Sequence, residues 1–340
     1  MTVFRILAID GGGIRGLIPS ILLSHIEAET QKPISELFDL IVGTSTGALI
    51  ALGLTKPVEH EVKPKYSAED LVQFYVKEGP RIFDPDTRTG LFSRAYPVQT
   101  LESVLGAYFG ESRLRHTLTE VIVNSYDIEN RLPFIFRSVD AKRSKRHDYF
   151  MRDVGRAATA APTYFEPALV FPADHYEEVS FANSLIDGGV YVNNPAMAGI
   201  VEAIRHLSTP NTPWPQFLVV SLGTGSLVRK FLRTEVRKWS GLRWAKNILD
   251  IVFDGQSDHI DDQLETILGT GSPIGSYYRF QARLVKAKDD LDDASDKNLD
   301  LLQRTARDIL SKERGEFEGL CKTLAMLAND RQNTLPQSAA

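Results

Sequence analysis

The stretch FDLIVGTSTG at residues 38–47 places one serine, Ser45, between two glycines directly after an apolar run. The helix-forming sequence ALIAL follows at once, so a strand is predicted to turn sharply into a helix here. This is the nucleophile elbow G-x-S-x-G, in which Gly43 and Gly47 leave room where strand and helix crowd together. A serine- and threonine-rich helix cap would explain a hydroxyl at this point, but not glycines on both sides. Ser45 is therefore predicted to be a nucleophile.

A second glycine-rich turn, DGGGIRG, occupies residues 10–16, between a strand predicted over Phe4–Ile9 and a helix predicted over Leu17–Glu29. The elbow repeats this order, with its strand predicted over Asp39–Val42. Strand, glycine turn and helix, repeated in this way, are typical of a parallel α/β sheet whose functional turns lie at the carboxyl ends of its strands. Further strands are predicted over Glu120–Tyr126, Pro133–Ser138, Leu185–Asp187, Phe217–Ser221 and Tyr277–Gln281.

The first glycine turn has three interpretations. Its G-x-G-x-x-G pattern, completed by Gly16, fits a dinucleotide site, but that site also needs an acidic residue at the end of the second strand, which here ends in glycine, threonine and serine. A P-loop is excluded because no lysine followed by serine or threonine comes after the glycines. A plain tight turn is the second interpretation. The third is an oxyanion hole formed by Gly11, Gly12 and Gly13, and the neighbouring serine motif favours it.

The base that would activate Ser45 is less obvious. A hydrolase triad would include a histidine, yet none of the seven histidines follows a strand in a glycine-framed turn. In contrast, Asp187 ends the apolar run SLID and is followed by Gly188 and Gly189. Alone, Asp-Gly-Gly is typical of a hairpin turn. Beside an elbow without a placed histidine, Asp187 becomes the candidate base.

Composition limits the classes of function. The 340 residues are 43% hydrophobic and 24% charged, with a formal net charge of −5, so a nucleic-acid polymer is not an expected partner. A single cysteine, Cys321, rules out an intrachain disulfide and favours a reducing compartment. With no leader and no apolar run of ~18 residues, a cytoplasmic location is expected. One domain is predicted over residues 1–330, with a flexible tail at 331–340.

Three separated motifs, GGGIRG, GTSTG and DGG, occur in that order, and together they resemble the patatin-like phospholipase family. Four further stretches look familial: AATAAPTYFEP at 157–167, VNNP at 192–195, SLGTG at 221–225 and LDDAS at 291–295. The likeness extends over about residues 4–310.

The resemblance implies a three-layer α/β/α fold around a central, mainly parallel sheet. It implies a lipid acyl hydrolase with a Ser45–Asp187 dyad, an acyl-enzyme intermediate and no metal or other cofactor. The substrates would be acyl esters of phospholipids, lysophospholipids or galactolipids at the inner face of a membrane. Bacterial members include antiphage effectors that cyclic nucleotides switch on. The resemblance is compatible with such a defence role, with a cyclic-nucleotide activator and with a homodimer. A non-catalytic lipid- or nucleotide-binding module and an acyltransferase remain as alternatives.

Two basic features stay open. Arg15, beside the glycines, suits either a phosphate headgroup or a structural pairing with a carboxylate. Residues 226–246 carry seven arginines and lysines against one glutamate, with Trp239 and Trp244 between them. Such a segment is typical of an interfacial membrane contact or an anion site, whereas an ordinary amphipathic helix would pack its aromatic residues inside.

Overall fold

A computed structural model of the chain describes residues 3–87, 96–207, 215–226, 228, 230–269, 272 and 275–334. Within these residues, the strands are β1 (Val3–Ile9), β2 (Leu40–Thr44), β3 (Glu120–Asp127), β4 (Leu132–Arg137), β5 (Ala168–Val170), β6 (Asn183–Asp187), β7 (Gln216–Leu222) and β8 (Gly275–Phe280). The helices are α1 (Leu17–Thr30), α2 (Ile34–Leu37), α3 (Thr46–Thr55), α4 (Ala68–Ile82), α5 (Val98–Phe109), α6 (Ser138–Arg143), α7 (Met151–Ala158), α8 (Ala196–Leu207), α9 (Arg233–Val236), α10 (Gly241–Leu268), α11 (Asp296–Lys312) and α12 (Arg314–Thr334).

All these strands belong to one sheet with the order β5-β6-β3-β2-β1-β7-β8, and β4 pairs with β3 off this path. The pairs β1–β2, β1–β7, β2–β3 and β7–β8 are parallel, whereas β4 and β6 run antiparallel to β3. The predicted mainly parallel sheet is therefore confirmed. Sequence reasoning did not predict β5, which has only three residues and lies between Pro167 and Pro172.

Helices cover both faces of the sheet. Along β1, Leu7 and Ile9 belong to a large core beneath α1 and α3, while Ile6 and Ala8 belong to a second core beneath α8. Successive side chains of a strand point to opposite faces, so a strand that is apolar throughout must be covered twice. The three-layer α/β/α architecture is thus confirmed.

The end of the chain differs from the sequence prediction. Helix α12 packs against α1 and continues to Thr334, so the first four residues of the predicted tail at 331–340 are helical. Between Gly319 and Pro336 the sequence has no glycine or proline, so no helix-breaking residue ends the helix before Thr334. Residues 335–340 lie outside the described residues, and the single domain over residues 1–330 stays a prediction. In the part of the chain that is described, no helix is long and apolar enough to cross a bilayer.

Candidate active site

Strand β3 explains why Ser45 and Asp187 meet. One edge of β3 pairs with β4, and the other edge is shared between β2 and β6. On that shared edge, Thr44 of β2 pairs with Asn124, and Asp187 of β6 pairs with the next residue, Ser125. Because β2 is parallel and β6 antiparallel to β3, their carboxyl ends point at each other here. Ser45 follows β2 directly, so the topology brings the predicted nucleophile and the predicted base together.

The backbone of Ser45 has the strained geometry of an elbow. Its φ of 54° and ψ of −123° lie in a region that non-glycine residues avoid, at a typical cost of about 1–3 kcal/mol. The flanking glycines make the turn sterically feasible. A Cβ on Gly43 would lie 2.4 Å from the Gly47 carbonyl oxygen, and a Cβ on Gly47 would lie 2.2 Å from that of Ile9. Both predicted glycine positions therefore admit no larger residue without a backbone shift.

Asp187 is completely buried, and this burial raises the pKa of its carboxyl to about 7, although the Ser45 hydroxyl and the Gly189 N–H lower it in part. The Gly189 N–H donates to Oδ1 at 2.8 Å, while Oδ2 is buried and has no hydrogen-bond partner within the described residues. A Cβ on Gly188 would lie 2.5 Å from the Asn124 carbonyl oxygen, and one on Gly189 would lie 2.7 Å from Phe253. Both glycines therefore let the turn fit closely around the carboxyl.

The first glycine turn lies directly beside the serine. A Cβ on Gly11 would approach the Ser45 Cβ to 3.2 Å. The Gly11 N–H donates to the Asn193 carbonyl oxygen at 3.2 Å, whereas the N–H groups of Gly12 and Gly13 have no acceptor among the described residues. The Gly11 N–H is thus already engaged. This narrows the predicted oxyanion hole to Gly12 and Gly13.

Thr46, which the sequence analysis did not single out, adds another N–H group. It is the first residue of α3, where backbone N–H groups have no partner inside the helix. Its hydroxyl shares a hydrogen bond with Tyr75, whose OH also donates to the Thr46 carbonyl oxygen at 3.2 Å. A Cβ on Gly16 would lie 2.3 Å from the Thr46 hydroxyl oxygen. The residue after the serine of an elbow often supplies an oxyanion N–H, so the motif could have revealed Thr46.

Arg15 is buried rather than presented at the surface. Its Nε donates to the Gly12 carbonyl oxygen and its Nη1 to that of Gly225, both at 3.3 Å. Burial lowers the pKa of Arg15, and the charges of Asp254 and Asp250 partly counteract this. Arg15 therefore holds the glycine turn through backbone carbonyl groups, and none of its hydrogen bonds in the described residues goes to a carboxylate, the structural partner that the sequence offered. A contact with a phosphate headgroup stays a prediction, and the burial of the side chain does not favour it.

An apolar cleft with an empty volume of about 630 Å³, including its part open to solvent, has Ser45 in its wall. Its apolar and aromatic lining consists of Ile14, Leu49, Phe74, Tyr75, Ile82, Phe83, Leu101, Ala161, Tyr164, Phe165, Phe253 and Leu291. All seven histidines lie within the described residues, and none of them lines this cleft. No group of three or more His, Cys, Asp or Glu is placed to hold a metal ion in the described part of the chain.

Comparison with known proteins gives the family. The sequence model described as "Patatin-like phospholipase" matches residues 7–200, more than half of the chain. The chain belongs to the patatin-like phospholipase family. Patatin-like protein 2 of Arabidopsis thaliana is 34% identical over 339 residues, covering 90% of this chain and 83% of that relative. Patatin-03 of Solanum tuberosum is 33% identical over 357 residues, covering 96% of this chain and 90% of that relative.

Membership in the patatin-like phospholipase family confirms the resemblance and supports a lipid hydrolase activity. Among solved structures, VipD from Legionella pneumophila aligns over 92% of this chain and 67% of its own, at 10% identity and a TM-score of 0.37. That score is too low for any argument from the VipD structure.

Proposed function

We propose that this patatin-like protein hydrolyses acyl esters of glycerophospholipids or lysophospholipids with Ser45 as nucleophile and Asp187 as base. The observation that carries the proposal is the position of Ser45. It lies on a strained strand-to-helix turn, next to a buried carboxyl, in the wall of an apolar cleft. An ester carbonyl whose acyl chain occupies the cleft would reach the serine.

In the proposed reaction, the Ser45 oxygen attacks the ester carbonyl carbon while its proton passes to Oδ2 of Asp187. The N–H groups of Gly12, Gly13 and Thr46 stabilise the negative charge that develops on the carbonyl oxygen. The intermediate then expels the alcohol of the lipid, which takes the proton from Asp187, and leaves an acyl-enzyme. Water then attacks the acyl-enzyme while its proton passes to Asp187. The bond between the acyl carbon and the Ser45 oxygen breaks, the serine oxygen takes the proton from Asp187, and the fatty acid is released.

The environment of Asp187 supports its role as base. A carboxylate with an ordinary pKa near 4 is too weak to take a proton from a serine hydroxyl efficiently. Burial raises the pKa of Asp187 to about 7, which strengthens the base and still leaves about half of it ionised at neutral pH. The unpartnered Oδ2 is free to accept, because Oδ1 already receives the Gly189 N–H.

The cleft is lined mainly by apolar and aromatic side chains, so it suits the acyl chain of an ester rather than its headgroup. Each buried methylene contributes about 0.8 kcal/mol.

Filling the cleft should shift the preference for chain length. Leu101→Trp adds bulk to the lining, so we expect kcat/KM for a long-chain ester to fall roughly tenfold to fiftyfold, because a few methylenes lose their site. Turnover of an acetyl ester should change little. Ser103→Trp, on the exposed side of the same helix α5, is the matched control. Equal losses with long and short esters in a natively folded Leu101→Trp protein would contradict the assignment of the cleft.

The reaction itself is tested with radiolabelled phosphatidylcholine and lysophosphatidylcholine. We expect release of free fatty acid, absent in Ser45→Ala. Transfer of the label to glycerol or another alcohol in preference to water would instead identify an acyltransferase. If the protein binds the lipid but does not hydrolyse it, either with or without candidate cyclic-nucleotide activators, it is a binding module.

The wider biological role belongs to the proposal as well. A regulated effector that degrades membrane phospholipid in antiphage defence would act at the inner face of a membrane, with a cyclic nucleotide as activator. In that case, turnover should rise when the nucleotide is added and the protein should sediment with vesicles. A homodimer is tested by the molar mass in solution, with and without the nucleotide.

A further inference from the structure

Helix α10 has two apolar faces with different environments. On one side, Leu249 and Phe253 are buried against Leu291. Phe253 and Leu291 also line the cleft. On the other side, Trp244, Ile248 and Ile251 follow the spacing i, i+4, i+7 and are each 39–41% exposed. Residues with this spacing share one face of a helix. An apolar surface open to solvent therefore lies on the outer side of the wall that encloses the proposed acyl site.

Aromatic packing fixes this surface in place. Trp239 is only 9% exposed and contacts Phe231 and Trp244 edge-on, with ring centroids 4.9 Å and 5.0 Å apart. Its indole N–H has no hydrogen-bond partner among the described residues. Tryptophan favours the boundary of a bilayer, where the ring meets apolar material and the N–H meets polar groups. Of the two tryptophans in the basic segment, Trp239 is interior and Trp244 is exposed.

Basic side chains precede the exposed face. Lys230, Arg233, Arg237, Lys238 and Arg243 are all exposed, and none of them forms an ion pair with a carboxylate in the described residues. Glu235 is the only acidic residue in this stretch, in a chain whose net charge is −5. The acidic residues of α10 begin at Asp250, and the charges of Asp250 and Asp254 act on the buried Arg15. The exposed Asp258 and Asp262 share the apolar face of the helix but lie about two to three turns beyond Ile251, away from the basic residues.

We propose that this surface, defined by Leu232, Trp244, Ile248, Ile251 and the preceding basic residues, docks onto an anionic lipid bilayer. The proposal rests on the proposed function, since it brings the cleft to its source of substrate. Charge complementarity decides the occupant: unpaired cations around exposed apolar side chains fit an interface of anionic headgroups over acyl chains. Leu232, at 52% exposed, extends the apolar area towards these cations.

Vesicle sedimentation tests the docking in a Ser45→Ala background, so that the lipids remain intact. We expect the protein to bind vesicles that contain phosphatidylglycerol and to bind vesicles of pure phosphatidylcholine much more weakly. Arg233→Gln/Arg237→Gln should weaken binding to the anionic vesicles roughly thirtyfold, with less effect at high salt. Ile248→Ser/Ile251→Ser should weaken it at least about tenfold. Val62→Ser and Lys63→Gln/Lys65→Gln, which alter exposed residues of another loop, are the matched controls.

The same substitutions in the active protein separate docking from chemistry. Turnover of a soluble short-chain ester should stay unchanged, while hydrolysis of phospholipid in anionic vesicles falls in parallel with binding. Binding that ignores lipid charge, or variants that bind as well as the parent protein, would overturn the proposal. A change from dimer to monomer in Ile248→Ser/Ile251→Ser would also overturn it, because the face would then join two copies of this chain. If the parent protein itself does not hydrolyse the soluble ester, that result counts against the proposed function and not against docking.

Discussion

Replacing Ser45 by alanine is expected to abolish covalent labelling by a fluorophosphonate and to lower ester turnover by roughly four to six orders of magnitude. Phosphorus in the probe mimics the tetrahedral carbon of the reaction, so a labelled serine must be both nucleophilic and near oxyanion donors. The modified residue is identified by mass spectrometry of peptides. Ser20→Ala is the matched control, because the Ser20 hydroxyl is also buried but donates to the Gly16 carbonyl oxygen.

The strain at Ser45 supplies an independent readout. Ser45→Gly removes the nucleophile and also relieves the positive φ, so its free energy of unfolding should rise by about 1 kcal/mol or more while turnover is lost. Ser45→Ala keeps the Cβ and should not gain this stability. Labelling that persists on another serine, or a Ser45→Gly protein that retains turnover, would contradict the assignment of the nucleophile.

The elements that could be predicted from local sequence were those in which steric crowding restricts a position to glycine. The elbow and the Asp-Gly-Gly turn were recognised because each glycine occupies a position where a Cβ would strike backbone or a packed side chain. Helix α10 was not recognised as a unit, since the basic segment at 226–246 extends across its start at Gly241. The composition of the segment shows only that it is basic and aromatic. The start of the helix depends on the Ser240 side chain, whose oxygen accepts a hydrogen bond from the Arg243 backbone N–H.

The contacts between distant segments were not accessible from sequence. That Gly11 gives its N–H to the Asn193 carbonyl oxygen depends on the meeting of two loops far apart in the chain. The motif VNNP pointed to the neighbourhood of Asn193 without indicating this contact. The hydrogen bond from Arg15 likewise depends on Gly225, three residues beyond the end of β7, which no local pattern connects to the first turn.

Asp187→Asn is expected to remove nearly all turnover while the fold is preserved. An amide cannot accept the serine proton, yet Asn has almost the same shape, and its oxygen can still accept the Gly189 N–H. The measurement is hydrolysis of a saturating soluble ester by variants that have native circular dichroism. Wild-type turnover should rise with pH through about 7, because the base must be ionised and burial raises the pKa of Asp187 to about 7.

The free energy of unfolding should change with pH in the direction opposite to turnover, because of the same Asp187 carboxyl. The folded-state pKa of about 7 lies above the ordinary value of 3.8, so the native protein holds a proton that the unfolded chain releases between these pH values. Stability therefore falls as pH rises through this window, and the full cost remains above pH 7. Asp187→Asn removes that cost, so at pH 8 it should exceed the wild type in free energy of unfolding by on the order of a few kcal/mol. At pH 4 the difference should be small.

A histidine base is the competing explanation, and it predicts a different pattern. The His206 side chain is hydrogen-bonded to Glu202 on α8, and the His259 side chain is hydrogen-bonded to Gln263 on α10. Neither histidine lines the cleft. His206→Gln and His259→Gln should therefore leave the chemical step largely intact. In a triad, loss of the histidine costs several orders of magnitude in rate. A folded histidine variant as inactive as Ser45→Ala would refute the Ser45–Asp187 dyad, since the proton would then have another acceptor.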